Sequence, residues 1–311
     1  MTSVVYVVLC GSAAVFAAAT VVRAAQYARA PIHLRWELYP VPHEPAERSA
    51  HGGSYFEQSA WWKQPGSINR WGTLKAVAAE VLFLNGLRQV NPTMWWRSFP
   101  FHAGLYLLIA TIELVLGRAL LALWLPSVIR GWPGVLLHQL YRATGFAGLI
   151  LAVAGAAGLM HRRLTDRDLR RATTPGDLFN LAAFMIALGV LGIGYALTPA
   201  GAPGPVAIAV GLLTWDTDMR LPVILATGVL LSALLAAYIP FTHMSHFVGK
   251  YFTYHAVRWD AAAARRGGAI ERTMAAYLAY RPTWAAPHIA ADGVRTWADV
   301  VTTQPSDKTT R

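Results

Sequence analysis

The sequence predicts an all-α integral membrane protein: a bundle of five transmembrane helices with a polar loop and a polar tail on one side. Three observations carry this prediction. Of the 311 residues 55% are hydrophobic and only 14% charged, with a mean hydropathy of +0.37, a balance that water-soluble domains do not show. Apolar runs long enough to cross a bilayer recur along the chain. Lysine and arginine gather in the segments between some of those runs and after the last.

The runs fall near 4–25, 99–125, 134–160, 177–198 and 206–247. The first has no basic residue before it and Arg23 behind it, so it reads as a retained anchor, although Ala17 to Ala19 resembles a cleavage site. The last run is longer than one span. Its first part, before Asp216-Thr217-Asp218, is rich in proline and glycine and reads as a loop or partly dipping segment. The remainder is the fifth span.

Segments 23–98, 161–175 and 250–311 hold nine, five and nine of the 27 lysines and arginines. By the inside-positive bias these segments are cytoplasmic and the N-terminus lies outside. The net charge of +11 follows from that bias, without nucleic acid; anionic lipid or an acidic partner would gain from it. The single cysteine, Cys10, can form no intrachain disulfide and cannot by itself hold an iron–sulfur cluster.

The chain therefore divides into a first transmembrane helix (1–25), a cytoplasmic loop (26–98), a four-helix membrane body (99–249) and a cytoplasmic docking tail (250–311). In the loop, the prolines between Pro31 and Pro42 impose extended backbone. Apolar residues at Leu74, Val77, Ala78, Val81 and Leu82, opposite Lys75 and Glu80, have helical spacing. With Trp61, Trp62, Trp71, Trp95 and Trp96 nearby, this is an interfacial helix in an aromatic belt; a small soluble packing element fits the pattern equally. In the tail, aromatic residues alternate with basic ones from Lys250 to Asp260 and around Trp284 and Trp297, which suits docking, and 302–311 reads as disordered.

Two histidines stand out. His102 follows Phe99-Pro100 at the predicted start of the second span, and His246 closes the fifth, which runs the opposite way. Both fall near the cytoplasmic boundary. Two neutral imidazoles on facing transmembrane helices are what a b-type haem takes as axial ligands, and ionisable groups in a span are functional by default. A structural role is the competing reading for each. His243 precedes His246 by three residues, shares its face on a continuous helix, and is the alternative ligand. Glu113 lies eleven residues beyond His102, about 16 Å along the helix. It is a candidate proton acceptor, or else an ion-pair partner of Arg118 or Arg142. His138 has no histidine partner in 206–242, and the remaining histidines lie in polar segments.

The residues Phe101-His102-Ala103-Gly104, Trp124-Leu125-Pro126, His161-Arg162-Arg163-Leu164, Arg171 to Asp177, and Pro240-Phe241-Thr242 with His246 together resemble the respiratory nitrate reductase gamma subunit. The segment Leu34 to Glu44 and the tail are more similar to a branch holding cytochrome b subunits of heterodisulfide-reductase-like and sulfite-reductase-linked menaquinol oxidoreductases. The resemblance implies a prokaryotic inner-membrane cytochrome b subunit that exchanges electrons between membrane quinone and a cytoplasmic iron–sulfur subunit. It implies His102 and His246 as ligands of the cytoplasm-side haem b, and Arg130 as a quinone-site residue near the outer face. The family's second ligand pair falls near Ile112 and Gly228, neither a histidine, so one haem is expected, with two possible. The alternative is a haem-free membrane anchor for a soluble redox enzyme. A small transporter is disfavoured, because the chain has no internal repeat and no paired broken helices.

Overall fold

The structure, a computed structural model, describes residues 1–30, 41, 42, 44–63, 69–253, 265–284 and 292–303. Every regular element among them is a helix. Five helices are long and apolar enough to cross a membrane: α1 (Thr2–Arg29), α4 (Pro92–Trp124), α6 (Trp132–Thr165), α8 (Pro175–Ala196) and α10 (Val223–Tyr238, with the turn to Phe241). The protein is a multi-pass membrane protein in a lipid bilayer. The Pro31–Pro40 part of the extended segment, His43, most of Lys250–Asp260 and the final residues from 304 lie outside the described residues.

Between the spans lie α2 (Arg70–Phe83), α3 (Asn85–Val90), α5 (Pro126–Arg130), α7 (Arg167–Ala172) and α9 (Pro205–Thr214); α11 (His246–Thr253), α12 (Ala269–Leu278) and α13 (Trp297–Thr302) follow. The spans alternate in direction. One end of the bundle therefore carries the starts of α4 and α8 and the ends of α1, α6 and α10. Polar contacts tie it together: Arg163 Nη1 lies 3.4 Å from Asp177 Oδ2, and Arg23 Nε donates to the Pro240 carbonyl at 3.2 Å. This end gathers the basic segments and is called the basic end below.

Close approach between spans depends on glycine, as expected where helices pack without a hydrophobic drive between them. A Cβ on Gly104 would meet the Ala152 backbone, with its Cα at 2.8 Å, and one on Gly155 would meet the Phe101 backbone, with its Cα at 2.6 Å. These two contacts bring α4 and α6 together. Around them Phe101, Ala152, Ala156, Phe184, Leu188 and Leu235 form a core shared by α4, α6, α8 and α10. The helix α1 packs on α10, and Val5, Tyr6, Ile208 and Leu225 join α1, α9 and α10 at the far end.

Three boundaries differ from the sequence reading. The second span starts at Pro92 rather than 99, so Pro100 lies inside it; Asn91 caps the helix by accepting from Met94 N–H and Pro92 takes the first position. Of the two readings of the segment before Asp216, the loop is replaced by the ten-residue apolar helix α9, too short to span and so compatible with a partly dipping segment, which Trp215 ends in the left-handed region at φ 56°. It buries Ile208 and Ala209 against α1, α10, α4 and α6. His246 does not close the fifth span. Helix α10 gives way to 3-10 turns at Ile239–Phe241 and His243–Ser245, and His246 opens α11. Pro240 lacks the amide that a continuing helix requires.

The predicted helix at 74–87 is α2 followed by α3, broken at Leu84, whose φ is 49°. Large apolar side chains (Trp71, Leu74, Leu82, Phe83) are exposed on it beside Arg70 and Lys75, while its carboxylate Glu80 is buried, 4% exposed. That inside-out pattern suits a helix lying at a lipid interface.

Candidate functional site

His102 and His246 come together at the basic end. Their ring centroids are 6.1 Å apart and their planes inclined by 66°. His102 lies on α4, ten residues past its first residue, and is half-buried beside the core residue Phe101. His246 is delivered by the turns that Pro240 initiates and by the α11 that follows. Two more contacts fix that segment to α1: Phe16 stacks on Phe247 at 6.1 Å, and Tyr27 on Phe252 at 5.9 Å.

Each imidazole is oriented by its own backbone. His102 Nδ1 lies 2.8 Å from the Ser98 carbonyl, and His246 Nδ1 lies 3.2 Å from the His243 carbonyl. A carbonyl can only accept, so Nδ1 carries the proton in both rings and Nε2 keeps its lone pair. This is the arrangement in which metal-ligating histidines are normally held. If Nε2 of both rings turned toward one iron, His102 and His246 would hold it between them, at bond lengths of about 2 Å each.

His243, the alternative ligand, is placed differently. It sits in the preceding 3-10 turn, and its Nε2 lies 3.8 Å from Asp177 Oδ1 on α8.

An ion pair flanks the site on the loop side. Lys250, one turn beyond His246, places its Nζ 2.5 Å from Glu80 Oε1 of α2. The other Glu80 oxygen accepts from Gly86 N–H at 2.7 Å. On its other flank, the α2–α3 segment is tied to α4. Tyr106 donates to the Val81 carbonyl at 2.5 Å, and Trp95 Nε1 to the Phe83 carbonyl at 2.7 Å. Helix α2 thus bridges the two helices that present the histidines. Glu80 and Lys250 were not among the predicted site residues; the signal for Glu80 was a lone carboxylate in an apolar, Trp-flanked helix.

The other predicted residues lie elsewhere. Glu113 is on the same face of α4 as His102, three turns toward the far end, exposed beside Ile112 and Ile109. The ion pairs weighed for it do not form: Arg118 donates instead to the Gly134 carbonyl, and Arg142 is exposed. Arg130 ends α5 at the far end and is also exposed, a bundle's length from the histidines. His138 Nδ1 lies 3.0 Å from the Tyr141 hydroxyl. Ile112 and Gly228 do not face one another: Ile112 is 60% exposed, whereas Gly228 abuts the Leu191 backbone of α8. Among the described residues, no group of three or more His, Cys, Asp or Glu side chains could hold a metal ion.

The chain matches no family model, no curated protein and no solved structure.

Proposed function

We propose that this chain is a membrane cytochrome b subunit that passes electrons between a membrane quinone and an iron–sulfur partner docked at its basic end. The observation that carries this reading is the histidine pair, His102 and His246, with ring centroids at 6.1 Å and both Nδ1 atoms turned to backbone carbonyls. Those bonds leave Nε2 of each ring available to iron. When bound, a b haem supplies one-electron chemistry, which no side chain here can provide.

The protein's own part is to hold the ligands. Ser98 and His243 hold the imidazoles through their carbonyls. Phe101 packs beside the His102 ring at 5.5 Å. The proposed orientation puts the basic end in the cytoplasm, because the charge bias of the loops runs that way. The loop and tail segments there form the docking surface. The similarity to the nitrate reductase gamma subunit, and to the menaquinol-linked branch, points to the same function.

The quinone site belongs in this proposal near the haem rather than beside Arg130. A single haem at the basic end leaves Arg130 most of a bilayer away, the hydrocarbon layer being about 30 Å thick. Glu113, on the His102 face and inside the membrane, is the proton acceptor for quinol.

The test is reduction of the purified chain by a menaquinol analogue, followed in the haem absorption bands. Reduction in seconds to minutes, slowed at least tenfold in Glu113→Gln, is expected. A haem reducible by dithionite but not by quinol would refute the quinone link. A chain without haem bands would leave the anchor reading.

A further inference from the structure

Two hollows outside the histidine site are both lined by α6, one polar and one apolar. The first is a polar pocket of about 350 Å³ at the basic end, between the start of α4 and the end of α6. Arg97, His161 and Arg162 converge there with Asn91, Thr93 and Thr165. Its one acid, Asp166, is already engaged: Oδ1 accepts from the Asp168 and Leu169 amides, and Oδ2 lies 3.8 Å from Arg162 Nε. Arg97 gives one N–H to the Thr93 carbonyl of its own helix at 3.1 Å, and Arg162 gives one to the Met94 thioether at 2.5 Å, which leaves further donors on both guanidinium groups.

The second cavity is an apolar groove of about 360 Å³ between α6 and α8, nearer the middle of the spans. Its floor is made of small residues: Ala154 and Ala157 on α6, Gly189 and Gly192 on α8. Ile150, Ala154, Ala157 and His161 follow one another at three- and four-residue spacing, so they share one face of α6. Ala157 lines the groove and His161 the pocket, one turn apart.

Either feature alone would mean little, but a cationic, hydrogen-bonding hollow near the end of α6 and an apolar one nearer its middle are lined by residues one turn apart on the same face, Ala157 and His161. We infer that this face of α6 binds an anionic phospholipid, its phosphate held by Arg97 and Arg162 with His161, and one acyl chain laid over Ala157 and Ala154 toward Gly192. Guanidinium groups suit the phosphate because their planar forks donate two parallel hydrogen bonds to it. The depth agrees as well. Helix α4 has 33 residues and α6 has 34, about 50 Å each, which carries their ends well past the hydrocarbon layer. The site is separate from the histidine pair, so it stands whether or not the chain binds haem.

Lipid retention in native mass spectrometry tests this, with the full chain purified from mixed phosphatidylglycerol and phosphatidylcholine. Wild type should retain phosphatidylglycerol at least tenfold over phosphatidylcholine. Arg97→Gln/Arg162→Gln should remove that preference, and Arg97→Gln alone should weaken it if the double variant does not fold. Ala154→Trp, which fills the groove from an exposed position, should lower retention while leaving both arginines in place. Equal retention of the two lipids by wild type, or undiminished preference in both arginine variants, would overturn the inference. Displacement of the lipid by inorganic phosphate, with Ala154→Trp behaving as wild type, would reduce the site to a phosphate cup and overturn the lipid assignment.

Discussion

Replacing His102 or His246 with alanine should abolish the low-spin b-haem spectrum, while His243→Ala should leave it intact. The difference follows from geometry. His102 and His246 face each other at 6.1 Å, whereas His243 turns to Asp177 on α8. Loss of either imidazole would remove one of the two protein ligands that this reading assigns to the iron. Spectra of the variants in membranes, normalised to protein, read the effect directly. Glycine variants supplied with free imidazole separate ligation from folding, since the exogenous ring should restore the bands. A full spectrum in His246→Ala together with its loss in His243→Ala would transfer the ligand to the preceding turn.

Breaking the Glu80–Lys250 pair should have the next largest effect. Glu80 is 4% exposed, and its two oxygens serve Lys250 and the Gly86 amide. Glu80→Ala removes the carboxylate from the Lys250 ammonium, which is 39% exposed, and leaves the Gly86 N–H without its acceptor. Breaking one side of a buried pair costs about 3–5 kcal/mol; water reaching Lys250 lowers that toward about 2 kcal/mol. Glu80→Gln keeps an oxygen for Gly86 and should lose less. Hydrogen exchange locates the damage: α2 amides should exchange at least tenfold faster in Glu80→Ala, with α8 unchanged. Because α2 also holds α4 through Tyr106 and Trp95, the haem potential should shift in the same variant. Unaltered α2 protection would show that Tyr106 and Trp95 hold the segment without the ion pair.

The two ligand candidates were legible for a simple reason. Charge asymmetry sets the direction of each span, and direction sets which residues share a depth, so His102 and His246 could be placed near one boundary without coordinates. What stayed illegible was set by single residues that act on backbone. Pro92, two turns before the apolar run, starts α4 early because the Trp-rich segment that follows tolerates the interface. Pro240 breaks α10, so His243 and His246 are carried by turns beyond the fifth span rather than by the span itself, which no period-3.6 count could anticipate. The helix α9 was hidden by its prolines and glycines, although Pro205 is a favourable first residue and Trp215 marks its stop. The Glu80–Lys250 contact joins residues 170 positions apart, and local pattern carries no record of such a pairing.

The histidine site also explains why α4 and α6 need glycine where they do. Gly104 lies two residues from His102 and Gly155 abuts Phe101, so the close approach of the two helices fixes the height at which the His102 ring stands. The small residues do not touch the ring; they determine where its helix sits.

The most direct test of the central claim is the number of b haems per chain, measured by pyridine haemochrome against protein concentration and by redox titration of the purified protein. One low-spin haem per chain with a single midpoint potential is the expected result. No haem would contradict the axial-pair reading outright. Two haems with separate potentials would show a second ligand pair at the far end, where His138 is now bonded to Tyr141.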